Sequence, residues 1–292
     1  MPEYVGRFAP SPTGPLHFGS LVAAVASYCD AKAAHGKWLV RIEDLDKPRE
    51  VKGAAQSILD TLVAYGFRWD GNVVYQSQQT SLYEEAFNQL NIKGLIYPCT
   101  CSRKEIADSS SQHGVEGVIY PGTCLKQAIK PNTPVAWRVK TQDFVGEFKD
   151  VIQGELRQNL STEIGDFVIK RADGLFAYQL AVVVDDALQG VTHVVRGADL
   201  LLSTARQIYL KRLLGLPDTN YAHIPIVKNA AGEKLSKQTL APALKGDEAK
   251  QQLIQALTFL NQSPPDTLSK ASLDDIWQWA ISNWQITRLS SN

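Results

Sequence analysis

Long apolar runs are missing from this 292-residue chain. No stretch reaches the roughly eighteen consecutive apolar residues that a membrane-spanning helix needs, so no membrane association is expected. Pro2, Glu3 and Arg7 stand near the start, where a secretory leader would carry a basic and then an apolar segment, and a cytoplasmic location is expected. Net charge is also missing: 30 Lys and Arg balance 30 Asp and Glu. Any contact with nucleic acid must therefore come from a local patch and not from global attraction. Cysteine is scarce, at four residues, three of them grouped at 99, 101 and 124; this argues against a disulfide framework and for a metal. Internal repeats and low-complexity linkers are absent too. The nearest to a linker, residues 107–117, lies inside the cysteine group, so the chain reads as one large domain with small insertions. A hydrophobic share of 44% fits a soluble globular enzyme.

What the chain does have is a pair of short motifs more than two hundred residues apart. The first is Arg7-Phe8-Ala9-Pro10-Ser11-Pro12-Thr13-Gly14-Pro15-Leu16-His17-Phe18-Gly19-Ser20, and the second is Lys234-Leu235-Ser236-Lys237-Gln238. The first begins as an extended apolar stretch, breaks at prolines and a glycine, and re-enters order at His17, from which residues 21–34 read as a helix. Its geometry is strand, loop, helix. A helix N-terminus offers unpaired N–H groups and a partial positive charge to an anion such as a triphosphate. Gly19 lets a flat ring approach the backbone closely, and His17 can donate to a phosphate oxygen. Two lysines three apart in a polar loop can neutralise charge that builds on a leaving pyrophosphate.

Together the motifs resemble the signature pair of the class I aminoacyl-tRNA synthetases, in their glutamyl branch, and the resemblance covers residues 3–240. It implies a Rossmann-type parallel sheet in an α/β catalytic core that makes an aminoacyl adenylate. His17 and Lys237 are then the catalytic side chains, and His17, Gly19 and Lys237 contact ATP, with Mg2+ entering alongside the nucleotide. Ser20 stands where the family's second histidine or its substitute is usual, and Leu235 and Gln238 replace a methionine and a serine. The charge at Lys237 is kept.

Residues 4–9 and 38–42 read as buried strands flanking the first helix, a βαβ unit with parallel pairing. Residues 54–64 and 82–90 have helical spacing. Strands are expected at 135–140 and 146–150, then a hairpin-like pair at 166–171 and 176–184 around Asp173-Gly174. A strand at 192–196, a helix at 200–214 and a strand at 222–227 follow, and helices at 248–260 and 273–284 close the chain. The tryptophans at 277, 279 and 284 are read as packing residues. The expected division is 1–92 for the first Rossmann half, 93–165 for a metal-bearing insertion, 166–240 for the second half with the lysine loop, and 241–292 for a helical segment.

An enzyme that activates glutamate must hold one ammonium and two carboxylates while leaving the α-carboxylate free to attack ATP. Arg7 and Arg196 each end a strand, where the carboxyl ends of parallel strands form a ligand crevice, and the planar guanidinium pairs bidentately with carboxylates. Glu43 closes the second strand and is placed to take the ammonium; Ser11 and Tyr178 supply neutral hydrogen bonds. R-F-A-P-S, R-I-E-D, Y-Q-L-A-V-V-V-D-D and V-V-R-G-A-D stand in the family's order. The resemblance thus implies glutamate binding by Arg7, Ser11, Glu43, Tyr178 and Arg196, with backbone contacts from Phe8, Ala9 and Pro10.

Cys99, Cys101 and Cys124 supply three thiolates, whereas a structural zinc usually takes four ligands. Coordination chemistry points to His113 as the fourth. The resemblance points to Tyr120, because C-x-C with a later Y-x-x-x-C looks like the zinc site of short glutamyl-synthetase relatives. The metal is expected to be structural.

After residue 240 about fifty residues remain, fewer than the anticodon-reading domain of glutamyl-tRNA synthetases. The chain accordingly resembles the short family that activates glutamate without tRNA and esterifies it to queuosine at the wobble position of tRNA(Asp). That implies L-glutamate, ATP and the anticodon stem-loop as partners of a monomer, with Lys126, Lys130, Arg206, Lys211 and Arg212 as candidate phosphate contacts. A truncated synthetase charging the 3′ end of tRNA and a non-catalytic binding paralogue are the rival readings.

Overall fold

The computed structural model describes residues 3–110, 112–127, 129–228, 232 and 242–289. In chain order the elements are β1 (Val5–Phe8), α1 (Phe18–Ala33), β2 (Lys37–Ile42), α2 (Ala54–Ala64), β3 (Val74–Tyr75), α3 (Thr80–Ile92), β4 (Ile96–Cys99) and α4 (Arg103–Ser109). Then come β5 (His113–Gly114), β6 (Gly117–Val118), α5 (Thr123–Lys126), β7 (Ala136–Val139), β8 (Val145–Asp150), β9 (Gly154–Asn159), α6 (Leu160–Glu163) and β10 (Phe167–Lys170). The chain continues through α7 (Tyr178–Leu188), β11 (His193–Gly197), α8 (Thr204–Leu214), β12 (Asn220–Ile224), α9 (Ala249–Phe259) and α10 (Leu273–Asn283).

β1, β2 and β3 pair in parallel in that order, and β11, β12 and β8 form a second parallel run that β9 extends as an antiparallel hairpin strand. The Thr192 amide donates to the Val5 carbonyl at 2.9 Å, which sets β11 beside β1. Strand order therefore reverses between β1 and β11, the place where an open α/β sheet leaves a crevice at its carboxyl ends. A separate antiparallel sheet, β10-β7-β4, carries the middle of the chain. β8 and β9 lie within residues 93–165, yet β8 pairs with β12, so the second-half sheet draws strands from that stretch.

α1 is the central helix. Its N-cap is His17, whose Nδ1 accepts from the Ser20 amide at 3.3 Å. Leu21, Val22, Ala24, Val25, Ala26, Cys29 and Ala31 are buried, and small residues on so many sides let the strands and α9 approach closely. The helix ends where Gly36 turns the chain into β2; a Cβ there would meet the Tyr4 carbonyl oxygen at 2.3 Å, so no larger residue fits.

One expected element is overturned. Residues 176–184 do not form a strand: only an isolated bridge joins Phe176 to Lys170, and the helix α7 starts at Tyr178. Leu180, Ala181, Val182, Val183, Asp185 and Asp186 are all buried, so the helix is covered nearly all round. Its three consecutive valines are β-branched residues common in strands, and in the sequence they read as one. Among the described residues no helix is long and apolar enough to cross a membrane.

Candidate active site

A cleft of about 470 Å³ opens at the carboxyl ends of β1 and β11, lined among others by Arg7, Phe8, Ala9, Ser11, Glu43, Tyr178 and Arg196. Seven of the eight residues expected to hold glutamate thus face one space. Pro10 does not line it, and its carbonyl instead accepts from the Glu43 amide at 3.0 Å, which ties the acidic turn after β2 to the loop after β1.

Beneath the cleft lies a network that the sequence reasoning did not assign. Arg41 is fully buried, and its Nη2 lies 2.8 Å from Asp186 and 3.4 Å from Glu43, with its Nε 3.7 Å from Asp185. Asp186 also takes the Nε of Arg7 at 3.3 Å. Asp185 accepts from Gln76 at 2.7 Å and from the Tyr83 hydroxyl at 2.9 Å. Burial raises Glu43 above its ordinary range, while Arg41 and Arg7 pull the other way. Burial acts upward on Asp186 too, but Arg7 and Arg41 together bring it to about 2. Arg41 stands inside the R-I-E-D motif and the two aspartates close Y-Q-L-A-V-V-V-D-D, so the motifs carried the signal without the roles.

Opposite, Arg196 at the end of β11 donates to Gln207 Oε1 at 2.8 Å, Thr204 Oγ1 at 2.9 Å, His223 Nε2 at 3.0 Å and the Tyr178 hydroxyl at 3.4 Å. Asp46, Arg49 and Arg171 also line the cleft, where Asp46 pairs with both arginines; Arg7, Arg196 and Glu43 then offer two held guanidinium groups and one carboxylate, the complement of an amino acid with two carboxylates and one ammonium.

His17 and Gly19 begin α1, and Ala23, one turn on, lines the cleft. With Nδ1 accepting from Ser20, the neutral ring of His17 keeps its proton on Nε2. Lys234, Leu235, Lys237 and Gln238 lie outside the described residues. The chain nevertheless returns beside the first motif, where Ala243 bridges His17 and the Leu244 amide donates to the Leu16 carbonyl at 2.9 Å.

Away from the cleft, the sulfurs of Cys99, Cys101 and Cys124 lie within 4.8 Å of one another. The Tyr120 hydroxyl lies 3.4 Å from Cys99 Sγ and 3.6 Å from Cys101 Sγ, and it accepts from the Cys124 amide at 2.9 Å. His113 is exposed in the β5–β6 hairpin and is not part of the group. Arg138 stacks on the Tyr120 ring at 4.0 Å, with its Nε 3.3 Å from Cys99 Sγ, and so favours charged sulfur and oxygen donors. Burial pushes Cys101 up to about 11, whereas Cys124, despite burial, is brought down to about 6 by hydrogen bonds from Tyr120 and Thr100. Three sulfurs and a phenol oxygen this close fit a soft tetrahedral ion such as zinc.

Of the candidate phosphate contacts, Lys211 is corrected. It is 2% exposed, its ammonium donates to Thr219 at 3.0 Å, and burial lowers its pKa to about 8 against the pull of Asp186. It faces inward because its position on α8 falls on the side packed against the sheet. Lys126 and Arg212 are exposed, Lys130 pairs with Glu105, and Arg206 pairs with Glu116 at 2.6 Å.

The fold and cleft define an α/β synthetase of class I. Residues 3–263 match the family of class I tRNA synthetases (E and Q), catalytic domain. A glutamyl-Q tRNA(Asp) synthetase of Aromatoleum aromaticum is 54% identical over 98% of this chain and 90% of its own. One of Dechloromonas aromatica is 56% identical over 96% and 94%. The chain belongs to the class I glutamyl and glutaminyl tRNA synthetase family, and within it to the glutamyl-Q tRNA(Asp) synthetases. A crystal structure of a glutamate tRNA ligase from Elizabethkingia meningosepticum, in complex with its amino acid, shares the fold at a TM-score of 0.79 and 24% identity, over 99% of this chain and 66% of that one.

Proposed function

We propose that this enzyme activates glutamate with ATP in the absence of tRNA and then transfers it to queuosine at the wobble position of tRNA(Asp). The observation that carries the reading is the opposition of Arg7, Arg196 and Glu43 across one cleft at the strand reversal, in a chain whose relatives bear that name. In this reading one arginine takes the side-chain carboxylate and Glu43 takes the ammonium, with Ser11, Tyr178 and the backbone of residues 8–10 completing the pocket. The α-carboxylate, already an anion, attacks the α-phosphorus of ATP; the bond to the β-phosphate bridge breaks and pyrophosphate leaves. No base is needed, so positioning and electrostatics are the main contributions. His17 and Gly19 hold the nucleotide at the start of α1, Mg2+ arrives with ATP, and Lys237 offsets charge on the leaving group. A hydroxyl of the queuosine cyclopentenediol then attacks the glutamyl carbonyl and AMP departs.

Zinc held by Cys99, Cys101, Tyr120 and Cys124 would be structural, since none of the four lines the cleft. The partners are L-glutamate, ATP and the anticodon stem-loop, met in the cytoplasm by a monomer. Glutamate-dependent ATP–pyrophosphate exchange without tRNA tests the first step, and its absence both with and without tRNA would leave a binding protein. Mapping labelled glutamate on tRNA(Asp) tests the second: label at the anticodon supports the proposal, and label at the 3′ end replaces it with an ordinary glutamyl-tRNA synthetase.

A further inference from the structure

Three adjacent strands carry a buried chain of contacts that ends at the cleft. Asp150 closes β8, His223 lies in β12, and Arg196 is its register partner in β11. Asp150 Oδ2 lies 2.6 Å from His223 Nδ1, and His223 Nε2 lies 3.0 Å from Arg196 Nε. The three residues are 1%, 0% and 5% exposed.

The tautomer of His223 follows from its neighbours. Nδ1 faces a carboxylate, so it carries the proton. Nε2 faces the Arg196 N–H and, at 3.2 Å, the Thr204 hydroxyl, so it accepts. Asp150 is itself fixed, because its Oδ1 accepts from the amides of Ile152 and Gln153 at 2.9 Å and of His223 at 3.2 Å.

We propose that Asp150 and His223 are positioning residues for the amino-acid site: Asp150 holds His223 in the Nδ1–H tautomer, and the bare Nε2 aims the guanidinium of Arg196 at the cleft. The inference rests on Arg196 as a glutamate contact. Asp150 and Arg196 are the charged groups against the ring, with Arg7 the next charge felt there. If the proton moves to Nε2, two donors meet, and Arg196 must leave its place.

Asp150→Asn tests this with almost no change of shape. Its carbonyl keeps the three amides, so its NH2 must face Nδ1 and drive the proton to Nε2. Nitrogen-15 spectra of the histidines are expected to show Nδ1–H in the natural protein and Nε2–H in the variant. The KM for glutamate in the exchange reaction should rise about tenfold or more, while the KM for ATP and kcat move far less. In a His223→Gln background, whose amide oxygen can accept from Arg196 without any tautomer, adding Asp150→Asn should change the glutamate KM little. A folded Asp150→Asn protein with the glutamate KM of the parent overturns the proposal, as does an equal loss for glutamate and ATP in both backgrounds. Calorimetric glutamate affinity of the same variants separates the two readings: a parent protein that binds glutamate but performs no exchange removes the activity, and the affinity loss in Asp150→Asn still decides the tether.

Discussion

Arg41 has no solvent exposure and three carboxylates around it, of which Asp186 also engages Arg7. Removing the Asp186 carboxylate takes from Arg41 its shortest ion pair and from Arg7 its buried partner. Asp186→Asn should therefore cost about 3–5 kcal/mol in a urea melt, and its damage should extend to glutamate binding because Arg7 loses its anchor. Asp186 itself stabilises the fold fully above the unfolded aspartate pKa of about 3.9, and that contribution is lost as pH falls through about 2. His223 acts in another window. Burial lowers it from 6.5, Asp150 opposes this, and Arg196 and Arg7 reinforce it. Above pH 6.5 neither the folded nor the unfolded ring is charged; below it, the unfolded chain takes up a proton that the native ring refuses, so stability falls with pH until the folded pKa is reached. Urea melts from pH 8 to pH 5 should show that decline, and His223→Gln should make it shallower, leaving the parts due to His193, which burial also lowers, and to Cys124. A slope unchanged by the substitution would assign the effect elsewhere. Arg7, Glu43 and Arg196 were legible in the sequence because each ends a strand and so has a defined direction. Their supports were not: Arg41 meets Asp186, and Asp150 meets His223, only after the sheet has brought distant segments together.

The same distinction holds for whole elements. α1, α2, β1 and β2 carry local signals, namely helical spacing between turn residues and short β-rich runs, and the structure places them within a few residues of the reading. α7 carries a misleading one, since its consecutive Val182, Val183 and Val184 are β-branched residues that read as a strand. The cysteine group shows a third case, in which coordination chemistry points to His113 and the family resemblance to Tyr120, the residue that stands beside the thiols. C-x-C and a distant cysteine form a group that could hold a metal, and β4, the start of α5 and the approach to it bring Tyr120 rather than His113 to the thiols. Metal analysis of the purified protein should find zinc near one per chain, unchanged in His113→Ala and reduced in Tyr120→Phe. Loss of metal in His113→Ala with retention in Tyr120→Phe would reverse the ligand assignment. Stripping the metal with a chelator should impair transfer to tRNA more than glutamate-dependent exchange, because the ligands lie outside the cleft.

For the molecule as a whole, the question is whether the last helices complete the core or merely follow it. The family match ends at residue 263, yet Leu268, Ile276, Trp277, Ala280 and Leu289 are buried in the cluster that contains α1 and β2. The Trp277 ring meets Tyr28 at 4.8 Å and Phe67 at 4.7 Å between centroids, and its N–H donates to the Tyr65 carbonyl at 2.8 Å. Trp284 donates to Asp30 on α1 at 2.9 Å. Trp277 and Trp284 therefore pack, as the sequence reading expected, and α10 closes the outer side of the helix whose first turn carries His17 and Gly19. Trp277→Ala should cost about 3–5 kcal/mol, the range for emptying a large buried aromatic site, and a chain ending at residue 263 should fail to fold rather than form a smaller active enzyme. Calorimetry of the full chain should show a single transition that moves down in Trp277→Ala. If instead the C-terminal helices melt in a separate, earlier step, or the shortened chain retains glutamate-dependent exchange, α10 is an appendage and the catalytic core stands without it.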